Sequence, residues 1–419
     1  MLDNPTVRSS AVLAGNRLRA RIRAARRREN LRAALLIAPL FLYLGVFFFY
    51  PVASMLMHSV SNEDYTKAFP RTAAAIRNWS GAGLPDESVY RAMTADVRGL
   101  HGDHQLLGRA ARRLNSEIPG FRSLILGLPR LLAAIEGQPS VKDAMIAAEA
   151  RWGDRSYWAV IRRSSMAFTD YYVLQSVDLR RDADDEIQPM PDAEAIFLDV
   201  YGRTVWISVQ VVFWCLLVGY PFTFFLAGLS DRRRNLLMFF VLLPFWTALL
   251  VRTTAWIVLL QREGLVNDLL RLLGLVDEPL QLIFSRPGVI IVMTHVLLPF
   301  FILPLYSVMR SINPQFMRAA RSLGAHPFEA FLRVYLPLSM PGVAAGSLLV
   351  FIISLGFYVT PALVGGSRDQ LVSTFIARYV EESLDWGQAS ALAAFLLVFV
   401  LVFYLVYHRL TGGRRIHFG

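Results

Sequence analysis

The chain has 419 residues, 55% of them hydrophobic and 18% charged, with a mean hydropathy of +0.42 and a formal net charge of +11. That composition is too apolar for an ordinary soluble domain and points to a polytopic membrane protein. The basic residues collect beside apolar runs, so the charge reads as a topology signal and no nucleic-acid partner is expected.

The chain opens with a basic tail, 1–33, containing Arg17, Arg19, Arg21, Arg23 and Arg26-Arg27-Arg28. Such a tail serves either as a topology anchor or as a helix that binds a lipid surface or a partner. An apolar run follows over 34–57, long enough to cross a bilayer at ~1.5 Å per helical residue. No small-residue cleavage site follows it, so it reads as a retained membrane helix rather than a signal peptide.

Residues 58–203 form a long polar insertion with 20 Asp+Glu against 18 Lys+Arg. Apolar residues three and four apart predict helices over 104–114 and 121–136, punctuated by Gly120, Gly127, Pro129, Pro139, Pro189 and Pro191. Trp152, Trp158, Phe168, Tyr171 and Tyr172 are the candidates for a small core. His101-Gly102-Asp103-His104 supplies two histidines but no further ligands, so it reads as a solvated turn and no metal is expected. The insertion serves either as a docking surface or as a spacer.

Five more apolar runs follow at 204–229, 236–260, 287–309, 339–362 and 388–408. With the first they predict an all-α protein of six transmembrane helices, carrying a large, mainly helical insertion between helices 1 and 2. Segments 1–33, 230–235, 310–337 and 409–419 carry 19 Lys+Arg, whereas 261–286 and 363–387 carry 5. This asymmetry predicts that both termini, including a tail at 409–419, are cytoplasmic and the insertion periplasmic. No Asp or Glu lies in any run, which speaks against a self-sufficient ion-coupled transporter. Cys215 is the only cysteine, so no intrachain disulfide can form.

Within the spans, only Arg252 and His295 can carry charge, apart from His408 at the last position of the sixth run. An arginine at this depth costs about 2.5–3.5 kcal/mol, so Arg252 either lines a cavity or bonds helix-end carbonyls. Phe245, Trp246 and Trp256 offer π faces to a cation, or are packing residues. His295 precedes Pro299 and Pro304, which free backbone carbonyls for a cavity or a neighbouring helix to satisfy. Gly342 and Gly346 permit close helix approach. Gly356, Pro361, Gly365 and Gly366 break the chain beside Tyr358, a further candidate for the pathway. The only lysines, Lys67 and Lys142, do not follow glycine, so there is no phosphate-binding loop. The spans hold no Ser/His/Asp set, and no enzymatic role is expected.

The segment Met317-Arg318-Ala319-Ala320-Arg321-Ser322-Leu323-Gly324-Ala325, running on to Leu336-Pro337, reads as a helix, a glycine turn, a second helix and a return into the membrane. It resembles the coupling loop of permease subunits of bacterial ATP-binding-cassette importers. Further matches are Leu243-Pro244-Phe245-Trp246 through Arg252, Ala255-Trp256, Gly264, Asn267, Leu303-Pro304-Leu305-Tyr306, Gly342 through Phe351, and Thr360-Pro361-Ala362-Leu363-Val364-Gly365-Gly366. These are similar to the permease-B subunit of spermidine/putrescine importers, over 34–57 and 204–408. The resemblance implies a six-helix MetI-like fold, a multi-pass place in the bacterial inner membrane, and a permease domain over 204–408 with its coupling loop at 310–337. It implies Arg318, Ala319, Ala320, Gly324, Ala325 and Pro327 as the coupling residues. It also implies partners: a cytoplasmic ATPase dimer, a second permease subunit and a periplasmic binding protein. This chain binds no cofactor of its own on that reading; ATP and Mg belong to the ATPase. The implied cargo is a small organic solute, foremost a polyamine. Opine-like compounds, aminoethylphosphonate, thiamine and ferric ion are carried by importers that share much of the pattern. Two positions depart from the family: Arg318 stands where Glu is usual, and Ala362 where the polyamine branch often has an acid.

Overall fold

The computed structural model describes residues 34–100, 103–182 and 184–412, with side chains up to 409. The basic tail, residues 413–419 and the pair His101-Gly102 lie outside the described residues. The chain divides into two units, 1–57 and 58–419. The described part of the first is essentially one apolar helix, α1 (Ala34–His58). A π-helical stretch at Gly45–Phe49 precedes Pro51, and the Tyr50 amide bonds the Gly45 carbonyl. Proline lacks the amide that would continue regular pairing, and a π-bulge takes up the difference.

The second unit starts with the insertion. Its helices are α2 (Glu63–Ala68), α3 (Pro70–Ala75), α4 (Glu87–Gly99), α5 (His104–Asn115), α6 (Phe121–Ile135), α7 (Val141–Ala148), α8 (Arg155–Ser164) and α9 (Tyr171–Gln175). An antiparallel hairpin follows, β1 (Leu179–Arg181) on β2 (Ile187–Pro189), with Arg180 opposite Gln188. The two helices predicted here are α5 and α6. Their apolar faces close a core around Tyr65, Phe69, Tyr90, Met93, Leu114, Phe121, Ile125, Trp152 and Trp158. The Trp152 carbonyl accepts from Tyr90 Oη at 2.8 Å and Trp158 Nε1 at 2.9 Å, so both rings bury their polar ends paired. Phe168, expected in the core, is instead 65% exposed. It lies in an extended bridge opposite Ser61, which fixes the backbone and turns the ring outward.

Carboxylates fasten these short helices. Asp96 accepts from the amides of Arg71 and Thr72 at 3.1 and 2.7 Å, at the start of α3. Glu87 does the same for Val141 and Lys142 at the start of α7, at 2.8 and 3.0 Å. Burial opposes the Glu87 charge, but the Lys142 and Val141 amides and the Arg91 guanidinium outweigh it and hold the carboxyl down to about 2. Asp103, in the segment weighed as a metal turn, caps α5 by accepting from Gln105 and Leu106.

The membrane part comprises α10 (Phe197–Ala227), α11 (Asp231–Leu242), α12 (Leu249–Leu259), α13 (Leu265–Leu272), α14 (Arg286–Ser311), α15 (Pro314–Ser322), α16 (Pro327–Leu355), α17 (Val359–Val364), α18 (Val372–Glu381) and α19 (Trp386–Gly412). Among the described residues α1, α10, α14, α16 and α19 are each long and apolar enough to cross a membrane. The run expected at 236–260 is not one helix. It divides into Asp231–Trp246 and Leu249–Leu259, which meet at 100°. The run expected at 339–362 also shifts: α16 starts at Pro327 and ends at Leu355, and the remainder forms the separate α17. The second span begins seven residues early, at Phe197 rather than 204.

Helix α14 packs against both α10 and α16. A Cβ on Gly346 would come within 2.8 Å of the Phe301 carbonyl oxygen, and one on Gly342 within 2.9 Å of Val308 Cβ. The two glycines let α16 approach α14 backbone to backbone, as their four-residue spacing suggests. The insertion locks onto this bundle at two places. Asp178 accepts from the amides of Ile196, Phe197 and Leu198 at 3.0, 2.9 and 2.8 Å, capping α10. Tyr172 packs on Gly387 at the start of α19, where a Cβ would fall inside the ring.

Candidate functional site

The bend between α11 and α12 has a local cause. Pro244 opens a 3₁₀ turn, Leu243–Trp246, and Thr247 and Ala248 are extended, with ψ of 139° and 141°. A helix broken there leaves carbonyls without amide donors. Thr247 Oγ1 donates to the Pro244 carbonyl at 2.9 Å, and an Arg252 Nη donates to the Thr247 carbonyl at 3.1 Å. Arg252 thus bonds a helix-end carbonyl, while its Nε has no acceptor among the described residues.

Beyond the bend, α12 brings two of the candidates together. The Trp256 indole donates to His295 Nδ1 on α14 at 3.1 Å, with ring centroids 5.3 Å apart. An imidazole that accepts at Nδ1 carries its proton on Nε2. His295 also lines a small cleft of about 170 Å³ with Val218, Phe222, Phe240, Pro244 and Pro299. Pro244 and Pro299 thus face one space, from α11's end and from α14. The other aromatic candidates have different partners. Phe245 meets Phe300 edge-on at 5.0 Å, while Trp246 meets Phe239 and is 75% exposed. Tyr358 is exposed just before α17. Thr253 and Thr360, both fully buried, face each other at 3.5 Å and join α12 to α17.

The second constellation is the helix-turn-helix at α15. Asn313 caps its start by accepting from Gln315 at 2.9 Å. At its end Gly324 has φ +90°, its amide bonds the Arg321 carbonyl at 3.0 Å, and the Ala325 amide bonds the Ala320 carbonyl at 3.1 Å. This paired closure is a Schellman turn, and it requires the left-handed residue that glycine supplies. Ala320 and Ala325 are half-buried on the inner side of the turn, while Arg318 and Ala319 face outward. Pro327 then starts α16, with His326 as its cap. Pro337 does not interrupt that helix, because a π-helical stretch over Phe331–Tyr335 lies immediately before it. The result is a surface of exposed side chains, Phe316 on α15, Leu323 in the turn and Phe328 on α16, which is itself one continuous 29-residue helix.

Residues 219–415 match the model of the binding-protein-dependent transport system inner membrane component family. The chain is 38% identical over 218 residues to the spermidine/putrescine transport system permease protein PotB of Haemophilus influenzae, covering 51% of this chain and 76% of that one. It is 34% identical to PotB of Escherichia coli K12, covering 52% and 79%. The chain belongs to the binding-protein-dependent transport inner-membrane family. A solved structure described as a bacterial alginate ABC transporter, in complex with a periplasmic protein bound to alginate pentasaccharide, is also similar. It shares 21% identity, covers 52% of this chain and 79% of that one, and has a TM-score of 0.43.

This permease is thus an importer subunit of the PotB type, and its insertion lies outside the span that the family model matches. Sequence reasoning missed the aromatic clasp above its helix-turn-helix. Phe331 and Tyr335 on α16 meet Phe224 on α10 edge-on at 5.3 and 5.0 Å, and Tyr220 Oη pairs with Ser339 Oγ at 2.9 Å. The available signal was the four-residue spacing of Phe331 and Tyr335 and of Tyr220 and Phe224, which puts each pair on one helix face. Asp231 was also overlooked: it pairs with Arg234 at 2.6 Å and reaches Arg310 at 3.7 Å, linking the start of α11 to the end of α14.

Proposed function

We propose that this permease carries polyamines through a pathway formed with a second permease subunit, driven by a cytoplasmic ATPase dimer and loaded by a periplasmic binding protein. The observation that carries this reading is the pairing of 38% identity to a spermidine/putrescine permease with an exposed helix-turn-helix continuous with a membrane helix. In this reading both termini and the 310–337 loop are cytoplasmic, and the insertion is periplasmic. The chain binds no cofactor and catalyses no reaction; ATP and Mg are held by the ATPase.

The mechanism follows from stiffness. The exposed face of Phe316, Leu323 and Phe328 docks into the ATPase with Arg318 and Arg321 beside it. A displacement of α15 passes through the Schellman turn into α16 without an intervening flexible loop, then through Gly342 and Gly346 to α14. A rigid lever between two packed states is the kind of element a distant ligand can bias. The Trp256–His295 pair and the bend at Thr247 line the pathway, with the indole face and backbone carbonyls meeting the cationic cargo in place of carboxylates.

The test is ATP hydrolysis by the complex reconstituted with its ATPase, second permease and binding protein, for wild type and Gly324→Pro. Proline cannot adopt φ +90°, so the turn is broken while the spans are untouched. Polyamine-stimulated hydrolysis that is lost in an assembled Gly324→Pro complex is the expected outcome. Stimulation only by another solute discards the polyamine. A variant that retains stimulation discards the lever.

A further inference from the structure

Away from the pathway and the helix-turn-helix, three arginines converge at the insertion-side ends of α10 and α14. Arg203, Arg286 and Arg368 line an open cleft of about 670 Å³ together with Asp199, Leu198 and Trp206. Like charges gathered at one cleft repel, and the local acids only partly answer them. Arg286 Nε bonds Asp369 at 3.0 Å, while Asp199 lies 3.9 Å from Arg203 and is 82% exposed. Arg203 donates to the Arg368 carbonyl, which draws the two residues together, but its Nε has no hydrogen-bond acceptor. The exposed Arg368 side chain has no hydrogen-bond or carboxylate partner among the described residues. Arg286 is moreover the first residue of the 26-residue α14, whose positive dipole end adds to the field.

We propose that this cleft binds the phosphodiester of an anionic phospholipid. Guanidinium forks match phosphate oxygens in shape and charge. The surroundings select a lipid over a free anion. Trp206 is 55% exposed one turn from Arg203, and Val209, Phe213 and Leu217 continue an exposed apolar stripe down the same face of α10. Phe284, just before α14, is exposed as well. A basic cluster at the head of an apolar stripe, with tryptophan between them, is what a headgroup and its acyl chain require at a membrane surface. The bound lipid bridges α10, α14 and the 365–371 loop, where Thr204 Oγ1 already accepts from the Val372 amide at 3.0 Å.

The test places the full-length chain in nanodiscs of equal parts phosphatidylglycerol and phosphatidylcholine, and counts lipids retained after detergent release by native mass spectrometry. Wild type is expected to retain phosphatidylglycerol over phosphatidylcholine, and Arg368→Gln to lower that preference about fivefold. Arg368→Glu abolishes it, and Arg262→Gln leaves it unchanged. The Arg368 side chain holds no other group in place, so unchanged thermal unfolding verifies that the variants are folded. Equal retention of the two lipids, or a preference that survives Arg368→Glu, overturns the proposal. Displacement of the lipid by millimolar inorganic phosphate assigns the cleft to a free anion and overturns the lipid reading. Loss of binding-protein docking in Arg368→Glu with lipid retention intact assigns the arginines to a protein contact and overturns it as well.

Discussion

Gly387 shows how one residue couples parts of the chain that are over 200 positions apart. It opens α19, and the Tyr172 ring of the insertion occupies the place where a side chain would be. Gly387→Ala is expected to destabilise the folded protein by about 1–3 kcal/mol, read as a fall in thermal unfolding temperature. Combining it with Tyr172→Leu removes the ring atoms in conflict, so the double variant should lose less than the sum of the two singles. Nothing in the local sequence marks Gly387 as special, because its constraint comes entirely from a distant aromatic residue. Arg252 was partly legible: its cost in a membrane requires a partner, but the bend carbonyl it meets exists only because Thr247 and Ala248 are extended. The cross-helix bond from Trp256 to His295 was equally out of reach of spacing rules, since it depends on how α12 is turned by that bend.

Helices within the insertion are short, and their ends are held by acids from other helices. Glu87 sits at about 2 in the folded protein, below its ordinary 4.5, so the unfolded chain binds more protons between those values. Its contribution is complete above about 4.5 and is lost as the pH falls toward 2. Protection factors of the α7 amides, corrected for intrinsic exchange, should therefore fall over that window, and Glu87→Gln should flatten the response. Amphipathic spacing made α5 and α6 predictable, whereas a three-residue strand or a five-residue helix carries too few positions to show a period. At the helix-turn-helix, the order of elements was readable from Gly324 and Leu336-Pro337. The continuity of α16 through Pro337 was not, because the π-helical stretch that absorbs the proline is a backbone adjustment.

As a whole, the second unit is a membrane bundle with a helical domain locked onto its helix ends. The lock at α10 is Asp178, held at φ 57° with its carboxylate on three successive amides. Asp178→Ala removes both acceptor oxygens and with them all three hydrogen bonds, and the expected cost is about 1–2 kcal/mol. Limited proteolysis should then cut the 190–197 segment faster while the α14 region stays protected. Equal protection there in wild type and variant would show that other contacts hold the insertion, such as Gln388 to Ser176 at 3.3 Å. This attachment also explains why the second span starts at Phe197, seven residues before the apolar run suggests: a strong cap supports a first helical turn that hydropathy alone does not mark.

The amino-acid sequence by itself determined the membrane class, the number of apolar runs, the helical character of the insertion and the signature around Gly324. All of these are local, because hydrophobic length, periodicity and left-handed turns are each expressed within a few neighbouring residues. Tertiary structure decided which candidates touch, how α16 meets α10, and that Arg203, Arg286 and Arg368 share one cleft. These properties depend on pairs of residues 39 to 165 positions apart, as with Trp256 and His295 or Arg203 and Arg368. Separations of that size leave no period in the sequence, and only packing brings the partners together.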